Sequence, residues 1–521
     1  MSKFISPAQA AELVQDGMTV CVGGFGNYGA PDELLAALAR RYDETGSPRN
    51  LTVTCGISPG SNKKDGQGLS KLKAEGLIGT MIAGHFANPP EIAELIGEDK
   101  IAAYAIPLGV MIHMYRAIAG HKPGVLTHVG LGTFADPRVE GCKANEKTRA
   151  QGREIVELNQ VDGKDYLLYK SFPINLCLIR GTYADESGNI AMTDEAVGDY
   201  AYEMAAATHN SGGIVIVQVR EIVKDGVLNP KSVRIHHPMV DYVVKSTDPT
   251  LHPQGYSAWS RPELSGLIRC PVSSIPPLPL DNRKIIARRG VMELKPGYLI
   301  NLGIGIPSGV GNVANEEGFG DQITLSLESG PQGGVPLDGA GFGASVNAET
   351  IYPVADMLDM YDGGVLDMSF LGAAEMDEAG NVNVSKFGTR CTGPGGFVNI
   401  SQNTKKMFFV GTFTAGGLEE EVRDGRLVIL KEGKSKKFRK AVRQITFSGN
   451  YAKESGQDVT YLTERAVFKL TPDGLMLTEI APGVDLEKDI LGQMEFKPLI
   501  SPQLREMDSR IFRPEVMGLR L

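Results

Sequence analysis

The chain has 521 residues, of which 42% are hydrophobic and 22% are charged. This composition excludes a disordered chain, and the length exceeds the ~250–300 residues at which a single core stops growing, so we expect two domains. The 53 basic and 62 acidic residues leave a net charge of −9. Because a polyphosphate backbone is bound through an excess of basic residues, this balance disfavours nucleic acid as a partner.

The amino-terminal segment lacks the long apolar core of a secretory signal, since Glu12 and Asp16 follow soon after Met1. No apolar run reaches the ~18 residues that a membrane span requires. The 6 cysteines are scattered, without a CxxC pair or a Cys/His spacing typical of zinc. We therefore expect a cytoplasmic protein with reduced thiols, no metal and no membrane partner, in which Cys21 is a small buried hydrophobic residue.

The first half alternates short apolar runs with helical segments, which is typical of βαβ units and predicts a largely parallel α/β sheet. Strands are predicted at 19–22, 51–54, 80–83 and 102–106, and a helix at 31–42. Prolines and glycines interrupt the pattern from 246 to 282, which predicts a linker. A helix at 283–290 and a strand at 298–303 follow. The predicted domains are therefore 1–245 and 283–521.

Three segments of the first half recur in the same order in the second half. Asp16-Gly-Met-Thr-Val-Cys-Val-Gly-Gly matches Lys295-Pro-Gly-Tyr-Leu-Ile-Asn-Leu-Gly, residues 185–189 match 377–381, and 223–226 match 422–425. The repetition predicts two tandem, related open α/β domains. Because open α/β sheets bind ligands outside the carboxyl ends of their strands, we expect the active site between the two domains.

Glycine-rich loops follow predicted strands in both halves. Residues 23–29, Gly-Gly-Phe-Gly-Asn-Tyr-Gly, precede a helix and predict a cradle for a phosphate or carboxylate group at the helix N-terminus. Pro31 follows this loop closely, and the glycine run at 303–307 lacks a third glycine. Neither loop is a convincing dinucleotide fingerprint, so a nicotinamide oxidoreductase is disfavoured.

A glutamate stands at the end of a predicted strand in the second half. The apolar run 324–327 ends at Glu328, and Ser-Gly-Pro-Gln-Gly-Gly follows. Glycine and proline cannot continue the strand, so Glu328 is held at a strand tip. Backbone donors of the glycine-rich segments 339–345, 388 and 393–397 could converge near its carboxylate.

These segments resemble those of a known family. Residues 16–31, Asp-Gly-x-x-Val-Cys-Val-Gly-Gly-Phe-x-x-x-Gly-x-Pro, resemble the amino-terminal signature of the family I coenzyme A transferases, with Cys21 as a mild departure. Leu327-Glu-Ser-Gly resembles the nucleophile segment, where two-subunit and 3-ketoacid members usually have Ser-Glu-Asn-Gly. The difference indicates the single-chain branch, the propionate or short-chain acyl-CoA:acetate CoA-transferases. The similarity runs roughly from residue 5 to residue 500 and includes the segments 180–189, 380–388, 411–417 and 433–438.

The resemblance implies ping-pong transfer of CoA from a short-chain acyl-CoA to a short-chain carboxylate. Glu328 is the implied nucleophile, which forms an acyl-glutamyl anhydride and then a glutamyl-CoA thioester. The backbone N–H groups of Ile304 and Gly305 are implied as donors to the glutamyl oxyanion, and those of Gly395 and Gly396 as donors to the acyl oxyanion. Contacts with substrate and CoA are implied for Gly23, Gly24, Phe25, Gly388 and Phe397.

The same resemblance implies that no cofactor is bound permanently and that coenzyme A is both substrate and transient covalent adduct. The implied partners are acyl-CoA and short-chain carboxylates. Family members that resemble this chain are commonly dimers or tetramers, so a homo-oligomer is expected.

Alternative functions stay open at this point. An acyl-CoA hydrolase on the same scaffold would resolve the glutamyl thioester with water, although glutamate rather than the shorter aspartate at 328 favours transfer. A non-covalent phosphate-ligand-binding protein or isomerase of the same superfamily would work independently of Glu328. Two further features have alternative interpretations: His85 either lines the acid pocket or is satisfied by backbone, and the basic run 434–441 is either a solvated face or a patch for CoA phosphate.

Overall fold

The computed structural model describes residues 3–271 and 277–520. It divides into two compact units that are discontinuous in sequence. Unit 1 comprises Met1–Cys270, Glu328–Asp359 and Ser385–Asn399, and unit 2 comprises Pro271–Leu327, Met360–Val384 and Ile400–Leu521. Residues 272–276 of the predicted linker lie outside the described residues. The predicted domains 1–245 and 283–521, and the predicted linker 246–282 between them, stay predictions.

Unit 1 is built on a nine-stranded sheet with a parallel centre. The parallel strands are, in spatial order, Tyr242–Lys245, Ile214–Val223, Leu176–Asp185, Thr19–Val22, Leu51–Ile57, Ile78–His85 and Ala102–Ala105. Ile190–Ala191 and Val233–Ile235 join it antiparallel. The strand Leu51–Ile57 is buried at nearly every position, as a parallel sheet requires of residues on both of its faces. The four strands predicted in this half are confirmed.

Helices and smaller sheets complete unit 1. Its helices are Pro7–Glu12, Asp32–Thr45, Pro90–Gly97, Leu108–Ala119, Glu146–Ala150 and Ala201–Asn210. A three-stranded sheet contains Gly124–Thr127, Lys164–Lys170 and Val156–Val161. Short antiparallel pairs join Pro331–Gln332 with Thr350–Ile351, Val335–Pro336 with Ser345–Val346, and Lys386–Phe387 with Arg390–Cys391. The helix Val354–Asp362 begins in this unit, as does Phe397–Asn403.

Unit 2 has a mixed sheet. Its strands follow the spatial order Thr324–Ser326, Leu299–Leu302, Met368–Gly372, Lys406–Val410, Asp458–Leu462, Ala466–Thr471, Gly474–Ile480 and Leu499–Glu506. The first five of these are mutually parallel, and the next two continue as an antiparallel meander. The helices are Asn282–Val291, Gly309–Glu316 and Gly449–Ser455. Short strands lie at Glu375–Asp377, Val382–Asn383, Thr414–Ala415, Glu419–Arg423, Arg426–Lys431, Ser435–Lys436 and Phe438–Arg439.

The first sequence repeat has the same local structure in both halves. Gly17 and Gly297 have φ angles of +73° and +78°, with open space where a Cβ would lie. A strand of four residues follows each turn. Gly23 and Gly303 then donate their N–H groups to a neighbouring strand at the same distance, 2.9 Å. The matching turn, strand and glycine support two related α/β folds.

The second repeat forms equivalent turns as well. The Asn189 side-chain amide donates to the Asp185 carboxylate at 2.7 Å, and Asn381 donates to Asp377 at 3.0 Å. In each turn the aspartate N–H also donates to the asparagine carbonyl at 3.1 Å. The recurrent Asp-x-x-Gly-Asn pattern therefore predicted a real structural repeat.

The first part of the proline-rich stretch, up to Cys270, belongs to unit 1 and packs against its helices and strands. The Tyr256 hydroxyl donates to the buried Asp32 carboxylate at 2.7 Å, and His252 Nδ1 lies 3.0 Å from the Gln218 side-chain amide. The proline- and glycine-rich residues around 252–256 thus have no regular secondary structure but are held in place by these hydrogen bonds. Within residues 3–271 and 277–520, no helix is long and apolar enough to cross a membrane.

Candidate active site

The first glycine loop is held tightly at the end of the strand Thr19–Val22. Gly24 has a φ of +114°, and a Cβ built on it would lie 2.8 Å from Pro59 Cβ. Only glycine fits there without displacing its neighbours. The Phe25 N–H donates to the Tyr28 carbonyl at 2.8 Å, which closes the loop on itself.

The helix that follows this loop does not offer an anion site at its N-terminus. The Gln218 side-chain oxygen accepts from the N–H groups of Glu33 and Leu34, at 3.0 and 3.3 Å. Asp32 and Glu33 also place carboxylates in the first turn, where they already complement the helix dipole. The predicted phosphate or carboxylate cradle is therefore wrong for this helix end. The Gln218 side chain already accepts from its N–H groups, and the carboxylates of Asp32 and Glu33 already offset its positive potential.

A cavity of about 400 Å³, including the solvent at its mouth, opens beside the glycine loop. Its lining is mostly apolar and includes Phe25, Ile179, Met192, Val197, Tyr200 and Met204. The Tyr200 hydroxyl donates to the Gly24 carbonyl at 2.5 Å and so fixes one wall. Gly23 and Gly24 line the same cavity, so three of the five residues predicted for contact with substrate and CoA, namely Gly23, Gly24 and Phe25, are brought together.

One ion pair forms the polar part of this wall. Arg180 is buried, and its guanidinium donates to Glu195 at 2.6 Å and to the Pro253 carbonyl at 2.5 Å. Both charged residues line the cavity. The Asp199 carboxylate also lines the cavity and pairs with Arg234 at 3.2 Å. Because Glu195 neutralises Arg180, the lining residues offer no unpaired cation to a ligand.

Glu328 lies two residues beyond the strand Thr324–Ser326 and is partly exposed, as the sequence predicts for a strand tip. The chain just after it is packed tightly. The Ser329 carbonyl accepts from the Gly198 N–H at 2.7 Å, and Gly198 lines the cavity. Gly330 has a φ of +117°, and a Cβ there would lie 2.3 Å from the Tyr352 carbonyl oxygen. Glu328, the nucleophile predicted from sequence, thus directly precedes Ser329, which contacts the cavity wall at Gly198.

The glycine-rich segment after Glu328 folds back onto the same region. The Ser329 hydroxyl donates to the Gly343 carbonyl at 2.5 Å, and the Tyr28 hydroxyl donates to the Gly341 carbonyl at 2.8 Å. Residues 339–345 thus contact the residue that follows Glu328, whereas the convergence of their backbone donors on the Glu328 carboxylate stays a prediction. Both contacts use carbonyl acceptors of residues 339–345 rather than N–H donors.

Gly395 does not have a free N–H group. It donates to the Gly84 carbonyl at 2.8 Å, and the Gly395 carbonyl accepts from the Leu108 N–H at 3.0 Å. Its predicted role as an oxyanion donor is wrong, because the segment is fastened to a strand end and a helix start through both backbone groups. The Gly396 N–H has no hydrogen-bond acceptor among the described residues, and its predicted role stays a prediction.

His85 ends the strand Ile78–His85, beside this segment. Burial, with a smaller contribution from the Arg390 guanidinium, lowers the pKa of His85 to about 4. The imidazole is therefore neutral near pH 7. Its Nδ1 atom is buried and has no hydrogen-bond partner in the described part of the chain. The interpretation of a side chain satisfied by backbone is wrong, and the pocket interpretation stays open.

Ile304 and Gly305 belong to unit 2, where they form the turn after Leu299–Leu302. Gly305 has a φ of +82°, and Ile304 is 57% exposed. Neither N–H group finds an acceptor within residues 3–271 and 277–520. Both are available donors, and their role toward the glutamyl oxygen stays a prediction.

The remaining residues predicted to contact CoA, Gly388 and Phe397, differ in exposure. Gly388 occupies the exposed turn between Lys386–Phe387 and Arg390–Cys391, with a φ of +63°. Phe397 is buried at the start of the helix Phe397–Asn403. Their contact with CoA stays a prediction.

The thiols are packed as hydrophobic side chains. Cys21 and four others are buried, and Cys270 is partly exposed. Burial raises the pKa of Cys55 to about 12, so this thiol stays protonated. The interpretation of Cys21 as a small buried residue is confirmed. No group of three His, Cys, Asp or Glu side chains in the described ranges could hold a metal ion.

Comparison with known proteins places this geometry in a family. The family model described as "Coenzyme A transferase" matches residues 4–246. A caffeate CoA-transferase of Acetobacterium woodii is 46% identical, over 100% of this chain and 99% of the relative. The acetate CoA-transferase YdiF of Escherichia coli K12 is 44% identical, over 99% of this chain and 96% of the relative. This chain belongs to the coenzyme A transferase family.

Solved structures agree with that assignment. The apoenzyme of the acyl-CoA transferase YdiF from Escherichia coli O157:H7 superposes with a TM-score of 0.94 at 42% identity, covering 100% of this chain and 98% of that one. A structure of the same enzyme described as a thioester complex with CoA has a TM-score of 0.92. The chain is therefore a two-domain α/β enzyme of the CoA-transferase type, as predicted.

Sequence reasoning did not identify the cavity wall formed by Gly198, Tyr200 and the Arg180–Glu195 pair. The segment 180–189 carried a signal, since it resembles the single-chain branch, but no spacing rule connects it with the glycine loop. The connection comes from the sheet, in which Leu176–Asp185 is the parallel neighbour of Thr19–Val22.

Replacing Gly24 tests whether this loop shapes the cavity. We expect Gly24→Ala to lower kcat/KM for acyl-CoA about tenfold and the melting temperature by a few degrees, because a Cβ would displace Pro59 and the carbonyl that Tyr200 binds. Gly212→Ala is the matched control, since Gly212 has a φ of +74° and open space around it. Steady-state kinetics and thermal unfolding measure both effects. Equal behaviour of the two variants would contradict a shaping role for the loop.

Proposed function

We propose that this enzyme transfers CoA from a short-chain acyl-CoA to a short-chain monocarboxylate by ping-pong chemistry at Glu328. The observation that carries the proposal is the position of Glu328: its carboxylate follows a strand tip, and the next residue is hydrogen bonded to the wall of a mostly apolar cavity. The related YdiF enzyme has been described as a thioester complex with CoA, which is the kind of adduct that this chemistry requires.

The proposed first half-reaction makes and breaks one bond in each step. A Glu328 carboxylate oxygen attacks the acyl-CoA carbonyl, the C–S bond breaks, and CoA thiolate leaves an acyl-glutamyl anhydride. The thiolate then attacks the glutamyl carbonyl, the anhydride C–O bond breaks, and the first acid leaves. The resulting glutamyl-CoA thioester retains the energy of the original thioester bond. An incoming carboxylate reverses both steps and departs as the new acyl-CoA.

A carboxylate is a weak nucleophile, so the surroundings must stabilise the oxyanions that form and keep water away from the intermediates. A preorganised backbone N–H donor contributes about 10²–10³ in rate. The unoccupied N–H groups of Gly396, Ile304 and Gly305 support such a role. No general base is required, because no step removes a proton from the nucleophile.

The cavity supports a short monocarboxylate as the acyl group. Its apolar lining would bind an alkyl chain, with about 0.8 kcal/mol for each buried methylene. The Arg180 charge is neutralised by Glu195, so the cavity offers no free cation to a second carboxylate. A dicarboxylic acid would therefore lose the hydration of that group without a compensating partner.

We propose acyl-CoA and short-chain carboxylates as the small-molecule partners, with CoA as the only transient adduct. A homo-oligomer in the cytoplasm stays a prediction.

Trapping the covalent adduct tests the role of Glu328. We expect incubation with propionyl-CoA to add the mass of one CoA less one water to the intact protein, because one glutamate oxygen leaves with propionate. Borohydride should convert the adduct to a reduced side chain at Glu328. Glu328→Gln should form no adduct, and transfer to acetate should fall by at least 10⁴-fold, because an amide cannot replace the carboxylate nucleophile. Intact-protein and peptide mass spectrometry measure these outcomes.

Glu349→Gln is the matched control, since Glu349 is an exposed glutamate 21 positions along the same chain. It should form the adduct as the unaltered enzyme does. An adduct that persists in Glu328→Gln, or folded enzyme that forms none with any short acyl-CoA, would contradict the mechanism.

Changing the cavity charge tests the substrate class. We expect Glu195→Gln to raise the ratio of kcat/KM for succinate to that for propionate about tenfold. The Arg180 guanidinium would still be held by the Pro253 carbonyl, but its charge would no longer be neutralised. Glu186→Gln, which alters an exposed pair with Lys224, should leave the ratio unchanged. An unchanged ratio in folded Glu195→Gln would show that the acid does not enter this cavity.

A further inference from the structure

One lysine of the basic run 434–441 is turned into unit 2. Lys437 is 8% exposed, whereas Lys434 and Lys436 lie on the surface. The Lys437 Nζ atom packs against Gly411, where a built Cβ would be 2.6 Å from it. Gly411 follows the strand Lys406–Val410 directly, so this ammonium group lies at the carboxyl end of a central parallel strand.

The Lys437 ammonium has no partner within the described residues: none accepts a hydrogen bond from Nζ or forms an ion pair with it. Glu464 is the carboxylate that acts on it electrostatically. Glu464 is already used, because it accepts from the Phe413 N–H and from Arg465, each at 2.8 Å. Burial, opposed in part by Glu464, lowers the pKa of Lys437 to about 8.

Arg465, a second buried cation near Glu464, does have carboxylate partners. Arg465 is fully buried, and its guanidinium pairs with Glu464 at 2.8 Å and Glu432 at 2.9 Å. A buried charge without a partner is costly because it has lost its hydration. The hydration that the Lys437 ammonium loses on burial is therefore not compensated by a carboxylate partner among the residues described, and an anionic ligand would compensate it.

A second unoccupied donor lies at the same strand end. The Thr412 N–H, next to Gly411, has no acceptor among residues 3–271 and 277–520. On the adjacent strand Met368–Gly372, no atom lies within 4 Å of where a Cβ on Gly372 would be. Gly372 and Thr412 are both partly exposed, so open space reaches this edge from solvent.

We propose that Lys437 Nζ and the Thr412 N–H form a binding site for an anionic oxygen of the substrate, either a phosphate of CoA or the carboxylate of the acid. The inference rests on the proposed function, because CoA transfer is what brings such groups to the enzyme. The site has the position expected of ligand sites in open α/β sheets, outside the carboxyl ends of parallel strands. A compact ammonium and one backbone donor suit a single oxyanion.

Chemical labelling of the unaltered enzyme tests the site independently of Glu328. Pyridoxal phosphate carries a phosphate and condenses with amines of lowered pKa, and borohydride fixes the product. We expect Lys437 to be labelled at pH 8 in preference to the exposed Lys434. CoA should prevent the labelling at least tenfold if the site takes a phosphate, and acetate should prevent it if the site takes a carboxylate. Peptide mass spectrometry measures both.

Absence of Lys437 labelling, or labelling that neither ligand prevents, would overturn the inference. Because this measurement needs no turnover, it separates failure of the site from failure of the transfer mechanism.

Kinetics provide the second readout. In Lys437→Gln we expect KM for propionyl-CoA or for acetate to rise at least tenfold, with kcat changed less than twofold, and Lys437→Arg to restore part of the loss. Lys434→Gln is the matched control and should leave both KM values unchanged. A folded Lys437→Gln enzyme with both KM values unchanged would contradict a binding role.

Discussion

The proposed chemistry depends on close backbone packing directly after Glu328. A side chain at Gly330 would approach the Tyr352 carbonyl oxygen to 2.3 Å, and the Ser329 carbonyl is fixed by the Gly198 N–H. These contacts fix the chain beside the cavity. The Glu328 side chain therefore extends from a rigidly held backbone rather than from a mobile loop. Positioning of this kind matters most for a weak nucleophile, because its rate must come from orientation and oxyanion stabilisation.

Two buried cations, Arg180 and Lys437, illustrate different uses of charge. Arg180 is paired with Glu195 and held by the Pro253 carbonyl, so the lining of the cavity in unit 1 offers no unpaired cation. Lys437 in unit 2 has no partner among the described residues, and burial weakens its hold on a proton. A neutralised cation suits an apolar acyl chain, and an unsatisfied one suits an anion. The pairing of each charge, rather than its presence, therefore indicates what would bind.

Local sequence patterns predicted local structure well. The strand Thr19–Val22, the turns at Gly17 and Gly297, and the strand tip before Glu328 depend on neighbours within a few positions. The errors came from long-range pairs. Gln218 caps a helix 185 positions away, and Gly84 takes the Gly395 N–H that was predicted for an oxyanion. Which lysine of the basic run turns inward was likewise beyond periodicity, because tertiary packing at Gly411 decides it.

The route of an oxygen atom tests the central claim most directly. An acid labelled with ¹⁸O in its carboxylate attacks the glutamyl thioester, and the bridging oxygen of the anhydride stays on Glu328 when CoA attacks the acyl carbon. After turnover with [¹⁸O]acetate and propionyl-CoA, the peptide containing Glu328 should therefore carry ¹⁸O, while a peptide containing Glu349 should not. A Glu328 peptide that gains no ¹⁸O during verified transfer, or gains it from labelled water instead, would contradict the account.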